Sequence, residues 1–471
     1  MKILRENIEY YRFIMNNLKK ILSKFFESKY FLLLLSILTV LNYYFNLGFC
    51  TYIEAAIFII LIFISNSQFL YSPSLLVFVL AGGITKIPDF KSAGFIIFSI
   101  LMSIIIIVFI IDIVKKRKEI VKITCSNSFI ISNFLLIFIM LLSLITSVDR
   151  ITSIAAIVGF LINPLFMYLV LLNTKIDDST KDNLGYSFVA IFYVIFMMFL
   201  IRFFEVLTEN GFKKILFDKA FFNFEWCHSN HYCSILCISS IFGLYLTIKK
   251  FKESNILNKI VWLFPIVGTV LICIFIVSRG PLFGLCASIG SFYVLTIIKY
   301  WNKKNVSIPL ISILCVLIIV SFLLYFLVLK DAFGDKGLNG RQELWPVAIK
   351  HFKENLILGT GYGTQRIFIM AETPQSVYNY HNYFLQISTC GILGIVAFTI
   401  YLINVIWHCF NKLSWFNIAF ISIFVLFLCN GFVDTLFFSN TIMPLFSICL
   451  CYLSLKPIEL KIEEKITCKL L

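Results

Sequence analysis

Residues 30–48 read YFLLLLSILTVLNYYFNLG, and residues 95–114 read FIIFSILMSIIIIVFIIDIV. Each is an apolar run long enough to cross roughly 30 Å of hydrocarbon as a helix. Neither alternates apolar and polar residues, as a strand of a membrane barrel does. Runs of this kind recur along the 471 residues, 60% of which are hydrophobic and only 14% charged. The mean hydropathy of +0.94 is far from that of a water-soluble domain. The chain therefore reads as an all-α integral membrane protein, a polytopic helical bundle of about 12–14 transmembrane helices with one large outside loop.

Fourteen spans are expected, near 30–46, 52–69, 72–85, 93–114, 127–148, 151–172, 185–206, 228–248, 260–278, 281–298, 307–329, 383–406, 416–437 and 439–455. The net charge of +15 invites a nucleic-acid reading, but the basic residues cluster in short loops that alternate along the chain. That is the positive-inside bias of a membrane protein, with both termini cytoplasmic, and no nucleic-acid partner is expected. The third expected span, SPSLLVFVLAGGIT, is short and contains glycines. Omitting it puts KKRK (115–118), KKFK (249–252) and KYWNKK (299–304) all outside, so it is kept.

The first 29 residues are basic and amphipathic, without a short apolar core and small-residue cleavage site, and read as an interfacial helix. An N-terminal transmembrane bundle is expected over 30–258 and a second region over 259–406, which includes the outside loop 330–382. C-terminal helices over 407–455 and a cytoplasmic tail over 456–471 complete the division. Its middle, Gln342 to Asn355, carries Leu344, Trp345, Ala348, Ile349 and Phe352 at helical spacing. Pro346 is tolerated only near a first turn, so an amphipathic helix is expected to start close to Glu343.

Three positions, all expected on the outer side, can carry chemistry. Arg279 stands in a tight SRGP reversal between two spans, Arg341 in GRQELW, and His381 where the large loop re-enters the membrane. A guanidinium is permanently charged and bonds two phosphate oxygens at once, so two arginines at one membrane face suit a lipid-linked diphosphate. The alternative for each alone is a snorkelling arginine or a surface histidine.

The series SRGPLFGLCAS (278–288), GRQELWPVAIKHFKENLILGTGYG (340–363) and HNYFLQISTCGILGIVAF (381–398) resembles the motif series of the O-antigen ligase/polymerase family. Order, spacing and expected side of the membrane agree over roughly 260–405. SNHYC (229–233) is similar to a weaker asparagine-containing element upstream. Leu356 stands where the family has a proline. The resemblance implies a metal- and cofactor-independent, inverting glycosyltransferase of the bacterial cytoplasmic membrane. Its donor is an undecaprenyl-diphosphate-linked glycan, and its acceptor is a second glycan or a lipid. Arg279 and Arg341 would hold the diphosphate, and His381 would take the proton of the acceptor hydroxyl. His231, Arg150, Asn382 and Arg366 are further candidates for contact with diphosphate or glycan. A repeat-unit polymerase is preferred slightly over a ligase, because ten residues separate Arg279 from Gly290, as in some polymerases. A flippase for the same lipid is the rival from another class, but the chain lacks the paired halves common in transporters. A chain-length regulator or flippase of the same pathway would be a partner.

Other groups have simpler readings. Cys227, His228, His231, Cys233 and Cys237 lack a regular CxxC pair and fit the start of a span better than a zinc site. The fourteen cysteines suggest no disulfide framework. Glu54 is expected to pack or cap rather than act as a base, Asp149 to pair with Arg150, and Arg202 with Glu205. GTGYG (359–363) follows no strand and reads as a helix stop rather than a phosphate cradle.

Overall fold

The computed structural model describes residues 2–81, 107–126, 128–211, 219–224, 226–301, 341–373, 379–410, 413–432 and 434–453. The expected span 307–329, most of 93–114 and the tail 456–471 lie outside the described residues. The chain runs through α1 (Lys2–Phe26), α2 (Lys29–Tyr44), α3 (Gly48–Ser65), α4 (Ser72–Ala81), α5 (Arg117–Ser126) and α6 (Ser128–Leu142). It continues through α7 (Arg150–Asn173), α8 (Asp178–Asn210), α9 (Ser229–Lys249), α10 (Ile256–Phe275) and α11 (Arg279–Tyr300). The large loop holds α12 (Arg341–Glu354) and α13 (Gln365–Glu372), followed by α14 (Tyr383–Ile387), α15 (Gly391–Phe410), α16 (Trp415–Gly431) and α17 (Met443–Cys451).

Among the described residues, seven helical segments are long and apolar enough to cross a membrane: α3, α7, α8, α9, α10, α11 and the segment Tyr383–Phe410. Shorter apolar helices α4, α6 and α16 accompany them. The chain is thus a polytopic all-helical membrane protein. α1 meets α2 at 67° across a break of two residues. Its outer face exposes Tyr10, Tyr11, Phe13 and Ile21.

The central helix is α9, almost wholly buried against α8, α10, α11 and α16. Gly243 lets α10 come close, since a Cβ there would sit 2.1 Å from the Trp262 carbonyl oxygen. Pro265 inside α10 cannot donate to the Val261 carbonyl one turn earlier, and the Tyr193 hydroxyl donates to that oxygen instead, at 2.9 Å. In a membrane, where no water supplies the missing donor, such a substitute keeps the helix intact.

The two ends of the bundle differ in chemistry. Lys116 donates to Asn173 Oδ1 at the end of α7. Lys249 and Lys250 pair with Asp182 near the start of α8, at 2.6 and 3.0 Å. Lys299 donates to the Leu413 carbonyl before α16. All four therefore share one end, as the loop-parity argument expects for the three basic loops. The starts of α7, α9 and α11 and the end of α16 make the opposite end, where the candidate site is built.

Two expectations change. Within the described residues the loop helix spans Arg341–Glu354, in keeping with a start close to Glu343, and buries Leu344, Val347 and Ala348 against Ile369 and Tyr380. Ile349, expected on the apolar face, is exposed. The expected reversal at 437–439 is instead an irregular stretch between α16 and α17, with a short 3-10 turn at Leu436–Phe438. Asp434, a carboxylate in an apolar run, lies in that stretch and is held by polar partners from other segments.

Candidate active site

The SRGP reversal is built by a Schellman stop. Ser278 N–H donates to the Cys273 carbonyl at 2.8 Å and Val277 N–H to the Ile274 carbonyl at 3.1 Å. That motif usually places glycine at its left-handed position, yet here Val277 has φ +53°. A β-branched residue in that region costs on the order of 1–3 kcal/mol and persists only where its surroundings fix it. Ser278 is the N-cap of α11, but its hydroxyl makes no capping bond. It donates instead to Asn230 Oδ1 on α9, at 2.9 Å.

Asn230 passes the contact on. Its Nδ2 donates to Asp434 Oδ2 at 3.1 Å. The Thr435 N–H donates to Asp434 Oδ1 at 2.8 Å. Two imidazoles face that same oxygen: His381 Nδ1 at 3.5 Å and His231 Nε2 at 3.9 Å. The His381 contact lacks hydrogen-bond alignment and is electrostatic. Ser439 Oγ lies 3.4 Å from the other ring nitrogen of His231. Asp434, beyond the end of α16, is only 4% exposed. Burial pushes its carboxyl pKa up, but His381, the charge of His231 and the Thr435 N–H outweigh that, and the net value falls well below the usual carboxylate range.

His381 has φ +50°, a second non-glycine residue in the left-handed region at this site. Asn382 fixes that turn: its Oδ1 accepts the Phe384 and Leu385 N–H groups, and its Nδ2 donates to the Phe432 carbonyl at 3.1 Å. Asn382 thus caps α14 and ties it to the segment that carries Asp434. α12 leans on the same segment, with the Trp345 and Phe432 rings 6.2 Å apart.

The other expected residues fall as follows. Arg279 is the first residue of α11, half-buried and adjacent to Ser278. Arg341 is the first described residue of α12. Arg150 opens α7 and is exposed; Asp149 caps that helix through Ile151 N–H, Thr152 N–H and the Thr152 hydroxyl, in place of the expected pair with Arg150. Arg366 is exposed on α13, with Nε 3.4 Å from Met370 Sδ. Arg202 and Glu205 pair as expected, at 3.2 Å. Glu54 accepts from Asn42 Nδ2 at 2.7 Å, a packing role. His228 Nδ1 caps α9 and Cys237 is buried facing the Pro281 carbonyl, so these two members of the histidine–cysteine window point to different places.

GTGYG stops the helix and joins two parts of the bundle. Gly359, Gly361 and Gly363 all have positive φ. Thr360 and Gly361 N–H groups donate to the Thr389 carbonyl, and the Tyr362 N–H donates to Ser143 Oγ. The Val148 N–H, just before α7, donates to the Thr360 carbonyl at 3.0 Å. With the Thr360, Gly361 and Tyr362 N–H groups engaged in this way, the loop acts as a structural wedge.

An arginine beside a polar histidine–carboxylate cluster, at one end of an apolar helical bundle, is the kind of ionisable group that marks a functional site in a membrane protein. Residues 264–402 match the family model described as O-Antigen ligase. Over that segment, less than a third of the chain, the protein is similar to the O-antigen ligase family. The matched segment holds Arg279, Arg341 and His381, while Asn230, His231 and Asp434 lie outside it. Among curated proteins no match to the chain was found.

Asp434, Asn230 and Ser278 are the residues that sequence reasoning missed as participants. Asp434 carried a signal: an acid inside an expected span is by default a functional residue with a partner. Asn230 and Ser278 stood within the SNHYC and SRGP motifs, but nothing in the sequence joined the two, because only the fold brings α9 to the reversal.

Proposed function

We propose that the protein transfers a glycan from a polyprenyl diphosphate to an acceptor hydroxyl at the outer face of the bacterial cytoplasmic membrane. The observation that carries this reading is the chain Ser278–Asn230–Asp434–His381, which ties the arginine reversal to a histidine beside an ionised carboxylate. The lysine-rich end opposite the site supports an outward-facing site through the positive-inside bias.

The acceptor oxygen attacks the anomeric carbon, and the bond from that carbon to the diphosphate oxygen breaks with inversion. The hydroxyl proton goes to His381. With Nδ1 turned to Asp434, Nε2 is the nitrogen left to take it, and Asp434 stabilises the imidazolium that forms. Charge grows on the leaving diphosphate, and Arg279 and Arg341 neutralise it. One such fixed donor in a partly dry site is worth about 3–4 kcal/mol. Arg279 at the first turn of α11 opposes the helix macrodipole, an arrangement that an anion bound there relieves.

Arg150 and His231 are further candidates for contact with the diphosphate or glycan, whereas the polar atoms of Asn382 are engaged in holding His381. Between the two outcomes of such a transfer, repeat-unit polymerisation is preferred and ligation is the alternative. Deleting the gene in its host distinguishes them. Single repeat units on the surface acceptor identify the polymerase, and full-length polymer retained on the carrier identifies the ligase. Precursor trapped on the cytoplasmic side overturns both in favour of a flippase.

A further inference from the structure

A groove of about 520 Å³ runs along the outside of the bundle between α2 and α8, far from the candidate site. Leu33, Ile37 and Leu41 of α2 and Tyr193 and Met197 of α8 line it, and Lys29 stands at one end. Its two hydroxyl groups are already used: Ser36 Oγ donates to the Leu32 carbonyl and Tyr193 to the Val261 carbonyl. The walls therefore offer an occupant hydrocarbon contact alone.

Lys29 differs from its neighbours. Its Nζ lies 4.0 Å above the Tyr186 ring, and no carboxylate among the described residues pairs with it. Lys250, which faces the same ring at 5.5 Å, is paired with Asp182. The groove extends from Lys29 to Leu41, about 18 Å at the helical rise, close to the ~15 Å depth of one leaflet's hydrocarbon. An apolar slot one leaflet deep with a single uncompensated cation at its polar end fits an amphiphile with an anionic head.

The membrane face is also fixed. Lys29 and Tyr186 lie with Lys249 and Lys250 at the end of α9, whereas Asn230 and His231 lie at its start, about 30 Å away. The occupant's head is thus in the leaflet opposite the candidate site.

We propose that this groove binds an anionic phospholipid of that leaflet, with one acyl chain between α2 and α8 and the phosphate on Lys29. The test uses the full-length protein in nanodiscs containing equal phosphatidylglycerol and phosphatidylcholine, followed by partial delipidation and mass measurement of the retained lipid. Wild type should retain phosphatidylglycerol preferentially. Lys29→Gln should cut that preference about fivefold, the worth of one lysine at an anionic surface. Lys19→Gln, on α1 outside the groove, should not change it. Unfolding temperatures in phosphatidylcholine alone should be equal for all three, so that a misfolded variant is recognised. Equal retention of both lipids by wild type, an unchanged preference in Lys29→Gln, or displacement of phosphatidylglycerol by equimolar undecaprenyl phosphate each overturns the proposal.

Discussion

His381 Nδ1 and His231 Nε2 both face Asp434 Oδ1, at 3.5 and 3.9 Å, so one carboxylate serves two imidazoles from distant parts of the chain. Its position between them makes Asp434 a positioning residue for His381 rather than a base. Asp434→Asn keeps the volume but removes the charge that stabilises a protonated His381. Transfer should fall by about 10²–10⁴-fold, while the amount of protein in the membrane stays unchanged. The measurement is initial transfer rate in membranes normalised to protein content. Activity within a few-fold of wild type would show that His381 does not depend on Asp434.

Asn230 links the arginine reversal to that carboxylate. Asn230→Ala leaves Asp434 Oδ2 without its donor and Ser278 Oγ without its acceptor. A lost hydrogen bond to a charged group is worth about 1.5–3 kcal/mol, so a rate loss of roughly 10–100-fold is expected, mainly in kcat. Asn230→Asp places a second carboxylate at hydrogen-bond distance from the first and should be worse than alanine. The order of the two variants, read at matched expression, checks the direct contact; an alanine variant worse than the aspartate variant would contradict it.

The helices and their alternating ends are legible in sequence because apolar run length and loop charge are local properties. The three candidate residues stand out in sequence too, since Arg279, Arg341 and His381 each sit at a break between such runs. What the sequence conceals is convergence. Asp434 reads as a residue inside a span because apolar residues flank it: Phe432 and Val433 precede it, and Leu436, Phe437 and Phe438 follow. Its partner Asn230 lies 204 positions away, and no periodicity reports a contact of that range. Likewise GTGYG reads as a helix stop, but its fit against Ser143 and Ser147 depends on α6 and on the turn that leads into α7.

That fit yields a stability prediction. Gly361 has φ +102°, and a Cβ there would lie 2.3 Å from Ser147 Oγ. Gly361→Ala should lower the unfolding temperature, with strain on the order of 1–3 kcal/mol for the backbone before any clash is counted. Gly290→Ala is the control: a Cβ there meets nothing within 4 Å, and alanine is the better helix residue. Thermal unfolding in detergent distinguishes them, and equal temperatures for the two variants would refute the wedge role of the loop.

The large loop carries a titrating clasp. Glu372 on α13 bonds Lys350 Nζ at 3.0 Å and His351 Nε2 at 2.5 Å, both on α12. The Lys350 bond, then that of His351, hold its carboxyl below the usual range. A depressed pKa stabilises the folded loop above the unfolded value of about 4.3, and that contribution is lost as pH falls through the folded value. Amide exchange in α12, corrected for its intrinsic pH dependence, should be flat between about pH 7 and pH 5 and accelerate only in stronger acid. Glu372→Gln should exchange faster at neutral pH and lose the acid response. Because Glu372 is exposed, added salt should weaken the effect.

The central claim is that Arg279 holds a lipid diphosphate while His381 takes the acceptor's proton. It is tested most directly by complementing a deletion strain with Arg279→Ala, Arg279→Lys or His381→Ala and following both surface glycan and its lipid-linked precursor. The account predicts that all three variants insert at normal levels, fail to restore the surface glycan, and accumulate the precursor on the outer face. Full restoration by Arg279→Lys would contradict two-point phosphate binding, and full restoration by His381→Ala would contradict the catalytic assignment itself.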